Sequence, residues 1–195
     1  MEDANFNEKE SLNLIASMIA KTQERFQSNG VSFIISGYVT VIVSLIVYFA
    51  LRATGDPDYN FLWFLIPVCG YSLFYFLEYR KEREKPVHTF IDSMVAKIWI
   101  VFGVVVMLLM FTSFITSLPI LFIISLVISA GTALTGLVIR YPLIATVGFI
   151  GTFLSLACLF VPDYLMQILV FALIFLIIHV IPGHVLYSRY KKSTR

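Results

Sequence analysis

Between Lys97 and Arg140 the chain carries no charged side chain at all. As one helix rising about 1.5 Å per residue, that run would be about twice as long as a hydrocarbon core of about 30 Å is thick, so it must fold back once. The polar stretch from Thr112-Ser113 to Thr116-Ser117, followed by Pro119, is the natural break, because proline suits the first turn of a new helix and not the interior of one. Composition says the same of the whole chain. Hydrophobic residues make up 59% and charged residues 13%, against about 45–50% and about 25% in soluble domains. With a net charge of +2 and no basic stretch outside the loops, the chain is not a nucleic-acid binder, a disordered polymer or a secreted disulfide scaffold.

Long uncharged windows separated by turn-forming or charged residues predict an all-α protein: a six-span transmembrane helix bundle preceded by an amphipathic helix. The spans fall at about 31–51, 61–77, 97–114, 119–139, 142–161 and 164–181. Gly55-Asp56-Pro57-Asp58 separates the first two, the charged stretch Arg80 to Lys85 follows the second, and Arg140-Tyr141-Pro142 divides the fourth from the fifth. Pro182-Gly183 ends or kinks the sixth. This gives an arm over residues 1–29, a membrane domain over 30–187 and a basic tail over 188–195.

Basic residues beside spans are retained on the cytoplasmic side. Placing the N terminus there leaves only Arg52, of the 14 lysines and arginines, on the far side, next to Asp56 and Asp58. Both termini are therefore expected on the cytoplasmic side. The first thirty residues contain no apolar core of a cleaved signal, so the first span does the targeting.

The arm reads as an amphipathic helix. Leu12, Ile15, Met18, Ile19, Thr22 and Phe26 share one arc of about 120°. Asn7 with Glu10 resembles a capping box, Lys21 and Arg25 suit the C-terminal dipole end, and Gly30 can close the helix. The spacing 12, 15, 19, 22, 26 also makes a two-heptad seam. Such a face can lie on the membrane interface, pack on its own bundle, or dock a second copy or a cytoplasmic protein.

Ionisable residues near membrane depth are the first place to look for chemistry. They crowd toward the cytoplasmic ends of the spans: Glu78, His88, Asp92, Lys97, Arg140, His179 and His184. His88 and Asp92, four apart, share a helix face, which would suit an oriented imidazole or a proton relay; alternatively Lys97 and Arg140 reach the headgroups while Asp92 pairs with one of them. His179 and His184 are five apart and make no clean ligand pair. No HExxH pattern, G-x-S-x-G serine or phosphate-binding glycine loop is present, and Cys69 and Cys158 lie within spans without a CxxC spacing. No catalytic residue, metal or other cofactor is therefore expected.

Small residues recur at helix-packing spacing: Ser36, Thr40 and Ser44 on the first span, Thr132 and Gly136 on the fourth, Gly148 with Thr152 and Gly151 with Ser155 on the fifth. Tyr59, Trp63, Tyr79, Trp99, Tyr141, Tyr164 and Tyr187 lie near span ends, as interfacial aromatics do, while Tyr38, Tyr48, Tyr71 and Tyr75 lie deeper, where at least some need a hydroxyl partner inside the bundle. The two three-span halves do not align as an inverted repeat.

The segment ESLNLIASMIAKTQERFQSNG, Glu10 to Gly30, leading directly into the first span, together with IPGH, Ile181 to His184, resembles a group of small uncharacterised integral membrane proteins of Bacteroidetes-type bacteria. The resemblance implies a bacterial inner-membrane protein with an N-terminal helix and several spans, and carries over no catalytic residue. A non-enzymatic structural or regulatory role through the arm is the expectation. The alternative is a small-solute transporter or channel using the cytoplasmic-side polar cluster, and a third reading is an intramembrane metalloenzyme built on two of the three histidines with Asp92.

Overall fold

The computed structural model describes residues 11–20, 30–70, 72, 73 and 90–193; the side chains of Asp92, Tyr190 and Ser193 also lie outside the description. Every regular element among the described residues is helical. A short helix α1 (Ser11–Ala20) precedes α2 (Gly30–Thr54), a 3-10 helix (Pro57–Phe64), α3 (Phe90–Ser113), α4 (Ile120–Val138) and α5 (Pro142–Ser155). One further turn, Ala157–Phe160, prolongs α5. Then come α6 (Tyr164–Phe175), a wide π turn (Leu176–Val180) and α7 (Ile181–Ser193).

Five stretches are long and apolar enough to cross a membrane: Gly30–Thr54, Ser93–Ser113, Ile120–Val138, Pro142–Phe160 and Tyr164–Arg189. The expected second span opens with the 3-10 helix, and residues 65–70 continue as α-helix; most of its remainder, to residue 77, lies outside the described residues. The third begins earlier than residue 97, because the charge on Lys97 does not interrupt helical hydrogen bonding.

Turn chemistry sets the boundaries. Gly55, at φ 68°, takes the chain out of α2 in a conformation that costs glycine little. Asp56 then caps the 3-10 helix through its side chain, 3.0 Å from the amide of Asp58, with Pro57 in the first position. Asp163 does the same for α6, accepting from the amide of Met166 at 3.1 Å.

The sixth span departs from expectation. It does not stop at Ile181 but runs through Pro182-Gly183 to Ser193. In a regular α-helix the ring of Pro182 would collide with the carbonyl four residues back. The π turn widens the helix just before it, and the amide of Ile181 donates to the carbonyl of Leu176, five residues back.

Two close-contact zones organise the bundle. α4 and α5 form an antiparallel hairpin at very close range. A Cβ built on Gly136 would fall on the backbone of Ala145, one on Gly148 on that of Ala133, and one on Gly151 2.6 Å from Ser129 Oγ. The glycines expected to form seams on these two helices therefore do so, by letting backbones approach. On α2 the close approach is made by other residues. Gly30 meets Leu186 and Tyr187, Gly37 meets His179 and Val180, and Gly183 of α7 meets Phe33 and Ile34. Thr40 and Ser44 are buried, but each donates to a carbonyl of its own helix. α3 is peripheral: only 6% of its apolar window is buried, against 33–44% for the other four long helices.

Side-chain clusters define the two ends. At one, Phe33, Ile139, Tyr141, Ile144 and Leu186 pack together with Ile91, Val95 and Leu143. At the other, Trp63 meets Phe171 edge-on with centroids 5.5 Å apart, Phe61 and Phe64 stack on Phe114 at 4.8 and 5.9 Å, and Asn60 Oδ1 accepts from Tyr164 and Trp63 at 2.8 and 3.3 Å. The start of α3 thus lies at the first end and its finish at the second. Lys97, Arg140, Arg189, Lys191 and Lys192 belong to the first end, which we call the basic end. Arg52 belongs to the second, where it donates to the hydroxyl of Tyr48 at 2.8 Å.

Candidate functional site

The ionisable residues marked by the sequence do not assemble into one site among the described residues. Glu78 and His88 lie outside them. Asp92 is placed on α3, but its side chain is outside the description. Lys97 is exposed on α3, and Arg140 is exposed in the turn between α4 and α5 with its backbone in the left-handed region, φ 52°.

The two histidines of the last span have opposite environments. His179 was expected near the end of its span; because the helix continues, it lies within it, on the π turn, and is buried. Its ring is held between Phe33 of α2, at 5.4 Å and 26°, and Phe175 of α6, at 5.2 Å and 16°. Phe175 precedes it by four residues, the spacing that stacks two side chains on one helix face, and Gly37 lets α2 close over its Cβ. The Nδ1 atom is buried with no hydrogen-bond partner. The only other such orphan among the described side chains is Ser129 Oγ on α4. His184, one and a half turns on, faces outward. Its Nε2 lies 3.3 Å from the hydroxyl of Tyr38, and the rings meet edge-on; Tyr38, expected deeper, is itself exposed. No group of three His, Cys, Asp or Glu side chains comes together among the described residues, and both cysteines are free thiols.

Most buried hydroxyls turn back on their own helices. Ser125 donates to Phe122 at 2.9 Å, Thr132 to Ile128 at 2.9 Å, Thr135 to Gly131 at 2.8 Å and Ser155 to Thr152 at 2.7 Å. That is how a serine or threonine is tolerated in an apolar interior: its donor is satisfied locally and nothing further is asked of the neighbouring helix.

Polar contacts between distant elements escaped the sequence reading, one of them at the basic end. Tyr141, expected as an interfacial aromatic, is buried at the basic end, where its hydroxyl accepts from the guanidinium of Arg189 at 3.3 Å. No spacing rule links residues so far apart in the chain. The partner face of the arm is described in part. On α1, Leu12 is 66% exposed, and Leu14 and Ile15 are also exposed. Met18 and Ile19 are half-buried, and Thr22 and Phe26 lie outside the described residues.

These features define an all-helical bundle whose five long apolar helices suit a multi-pass membrane protein. Comparison with protein-family models, curated proteins and solved structures finds no match for the chain.

Proposed function

We propose that the protein is a six-span component of a bacterial inner membrane, with its basic end and both termini in the cytoplasm, serving a non-enzymatic structural or regulatory role through its N-terminal helix. Connectivity supports the sixth crossing. Phe64 sits at the end of the bundle opposite the basic end, against Phe111 and Phe114, while Ile91 and Val95 pack at the basic end. The 24 residues of α3 separate these levels by roughly 36 Å, which supports a further crossing between residues 64 and 90. The orientation rests on the basic residues gathered at one end.

A membrane-impermeant maleimide applied to intact spheroplasts checks both points, with the natural chain as baseline. Asp58→Cys is expected to be labelled at once and Ser188→Cys only after permeabilisation. Labels on opposite sides require an odd number of crossings between these residues, one more than the four long helices described there. Labelling of both on the same side would remove the sixth span.

The role is carried by one observation: α1 presents Leu12 and Ile15, both of its predicted apolar face, uncovered, and such a face needs a cover. The interior gives less support to a solute path, since most buried hydroxyls bond within their own helices and His179 and His184 face different surroundings. With Leu12→Glu and Ile15→Glu combined in the full chain, in-membrane cross-links to a partner or second copy are expected to disappear while the bundle remains inserted. An unchanged cross-link pattern would refute the role assigned to the arm.

A further inference from the structure

Tyr38 of α2 and His184 of α7 meet on the outside of the bundle, where neither core packing nor the turns use them. The Tyr38 hydroxyl lies 3.3 Å from His184 Nε2, the rings stand edge-on with centroids 6.0 Å apart, and both side chains are exposed. Close packing beside them fixes the two helices: Gly183 lies against Phe33 and Ile34, and Gly37 against His179 and Val180. The depth of the pair follows from the same helices. Arg189 lies further along α7, about 7.5 Å toward the basic end, and Arg52 further along α2, about 21 Å toward the other. With these arginines at the two headgroup levels, the pair stands inside a hydrocarbon core of about 30 Å. Ionisable side chains at such depth ordinarily face the bundle interior or a water-filled cavity, whereas His184 and its tyrosine face outward.

One hydrogen bond joins the two side chains, and either tautomer of the imidazole leaves the same remainder. If the hydroxyl donates to Nε2, Nδ1–H is a spare donor and the tyrosine oxygen a spare acceptor. If Nε2–H donates to the hydroxyl oxygen, the phenolic proton is the spare donor and Nδ1 the spare acceptor. Lipid tails satisfy neither group, and water is absent at this depth. Toward the middle of the membrane the exposed surface next to the pair is apolar: Ile42, Leu45 and Phe49 on α2, and Ile181 one turn before His184.

We propose that Tyr38 and His184 bind the head group of a membrane-soluble quinone or its quinol, with the chain lying along Ile42, Leu45 and Phe49. The spare donor meets a quinone carbonyl and the spare acceptor a quinol hydroxyl, so one pair serves both forms. The exposed tyrosine ring offers an aromatic surface to a flat head group. A phospholipid fits less well, because its phosphate stays at the level of the arginines. The site needs the bundle to span the membrane, as proposed above, and is independent of the role assigned to the arm.

Ligand that binds the folded protein raises its melting temperature by mass action. In the full-length protein in neutral detergent, decylubiquinone is expected to raise Tm by about 4 °C. Decylbenzene, which has a ring and chain without the carbonyls, and farnesol, which has a chain and hydroxyl without the ring, are expected to leave it unchanged. Tyr38→Phe with His184→Leu should abolish the rise and keep the baseline melting, since both side chains are exposed. Tyr59→Phe, exposed at the opposite end, should retain the rise. No rise with the quinone would overturn the proposal, as would a rise that survives the double substitution. A rise of the same size with decylbenzene or farnesol would overturn it in favour of an unselective apolar track or a long-chain alcohol. Loss of a dimer in the double variant, measured by light scattering without quinone, would overturn it in favour of a contact between two copies of the chain.

Discussion

In Gly148→Ala the bundle is expected to lose about 3 kcal/mol of stability, the upper range for overpacking a close contact. The added methyl group would sit 2.5 Å from the Cα of Ala133 and closer still to its amide nitrogen, and these are backbone atoms that cannot turn aside. The α4–α5 hairpin would have to part along its length, because the same close approach recurs at Gly136, where a Cβ would stand 2.6 Å from the Cα of Ala145. Within lipid no hydrophobic force pushes the helices together again, so the lost van der Waals contact is not replaced. Thermal unfolding of the purified protein should show a drop of roughly 10 °C. Gly70→Ala is the control. Its Cβ would meet nothing within 4 Å, and its melting temperature should hold or rise slightly, since alanine is the better helix former. Equal melting of Gly148→Ala and the natural chain would mean that the hairpin is not packed backbone to backbone.

Two substitutions of His179 are expected to differ in the size of their effect. His179→Ala opens a cavity between Phe33 and Phe175 and should destabilise by about 3 kcal/mol, as truncation of a buried ring does. His179→Leu keeps most of the volume and removes the Nδ1 atom that is buried without a partner. Losing an unsatisfied polar group offsets the loss of ring stacking, each on the order of 1 kcal/mol, so stability should change little. Melting curves of the two variants in one detergent decide the matter. A His179→Leu protein as damaged as His179→Ala would show that the imidazole has a bonding partner in the membrane, and would reopen the polar-cluster reading of this histidine.

Much of this protein is legible in one dimension because charge is so rare in it. An uninterrupted run from Lys97 to Arg140 demands a fold-back, and Pro119 and Pro142 mark where two helices start whatever surrounds them. Asp56 and Asp163 satisfy amides one turn away, which is local chemistry. The glycines of α4 and α5 were legible too, since closely spaced small residues on an otherwise bulky helix have few uses other than close packing. The candidate site was much less legible. In a soluble helix polar residues mark the outward face, but here lipid-facing and core-facing positions are both apolar, so Phe33 and Phe175 could not be told from lipid-exposed phenylalanines such as Phe49 and Phe153. Nor does any spacing announce that Arg189 reaches Tyr141.

By itself the sequence determined that the chain is helical, where most helices begin, and how its charges divide, because these depend on hydropathy and on interactions within a few residues. The tertiary structure alone decided how the last helix passes Pro182, which histidine is buried, and that Arg189 reaches Tyr141. A π turn is tolerable at Leu176–Val180 because α2, thinned by Gly30 and Gly37, packs against the widened helix. That compensation comes from a segment well over a hundred residues away, and no local pattern encodes it.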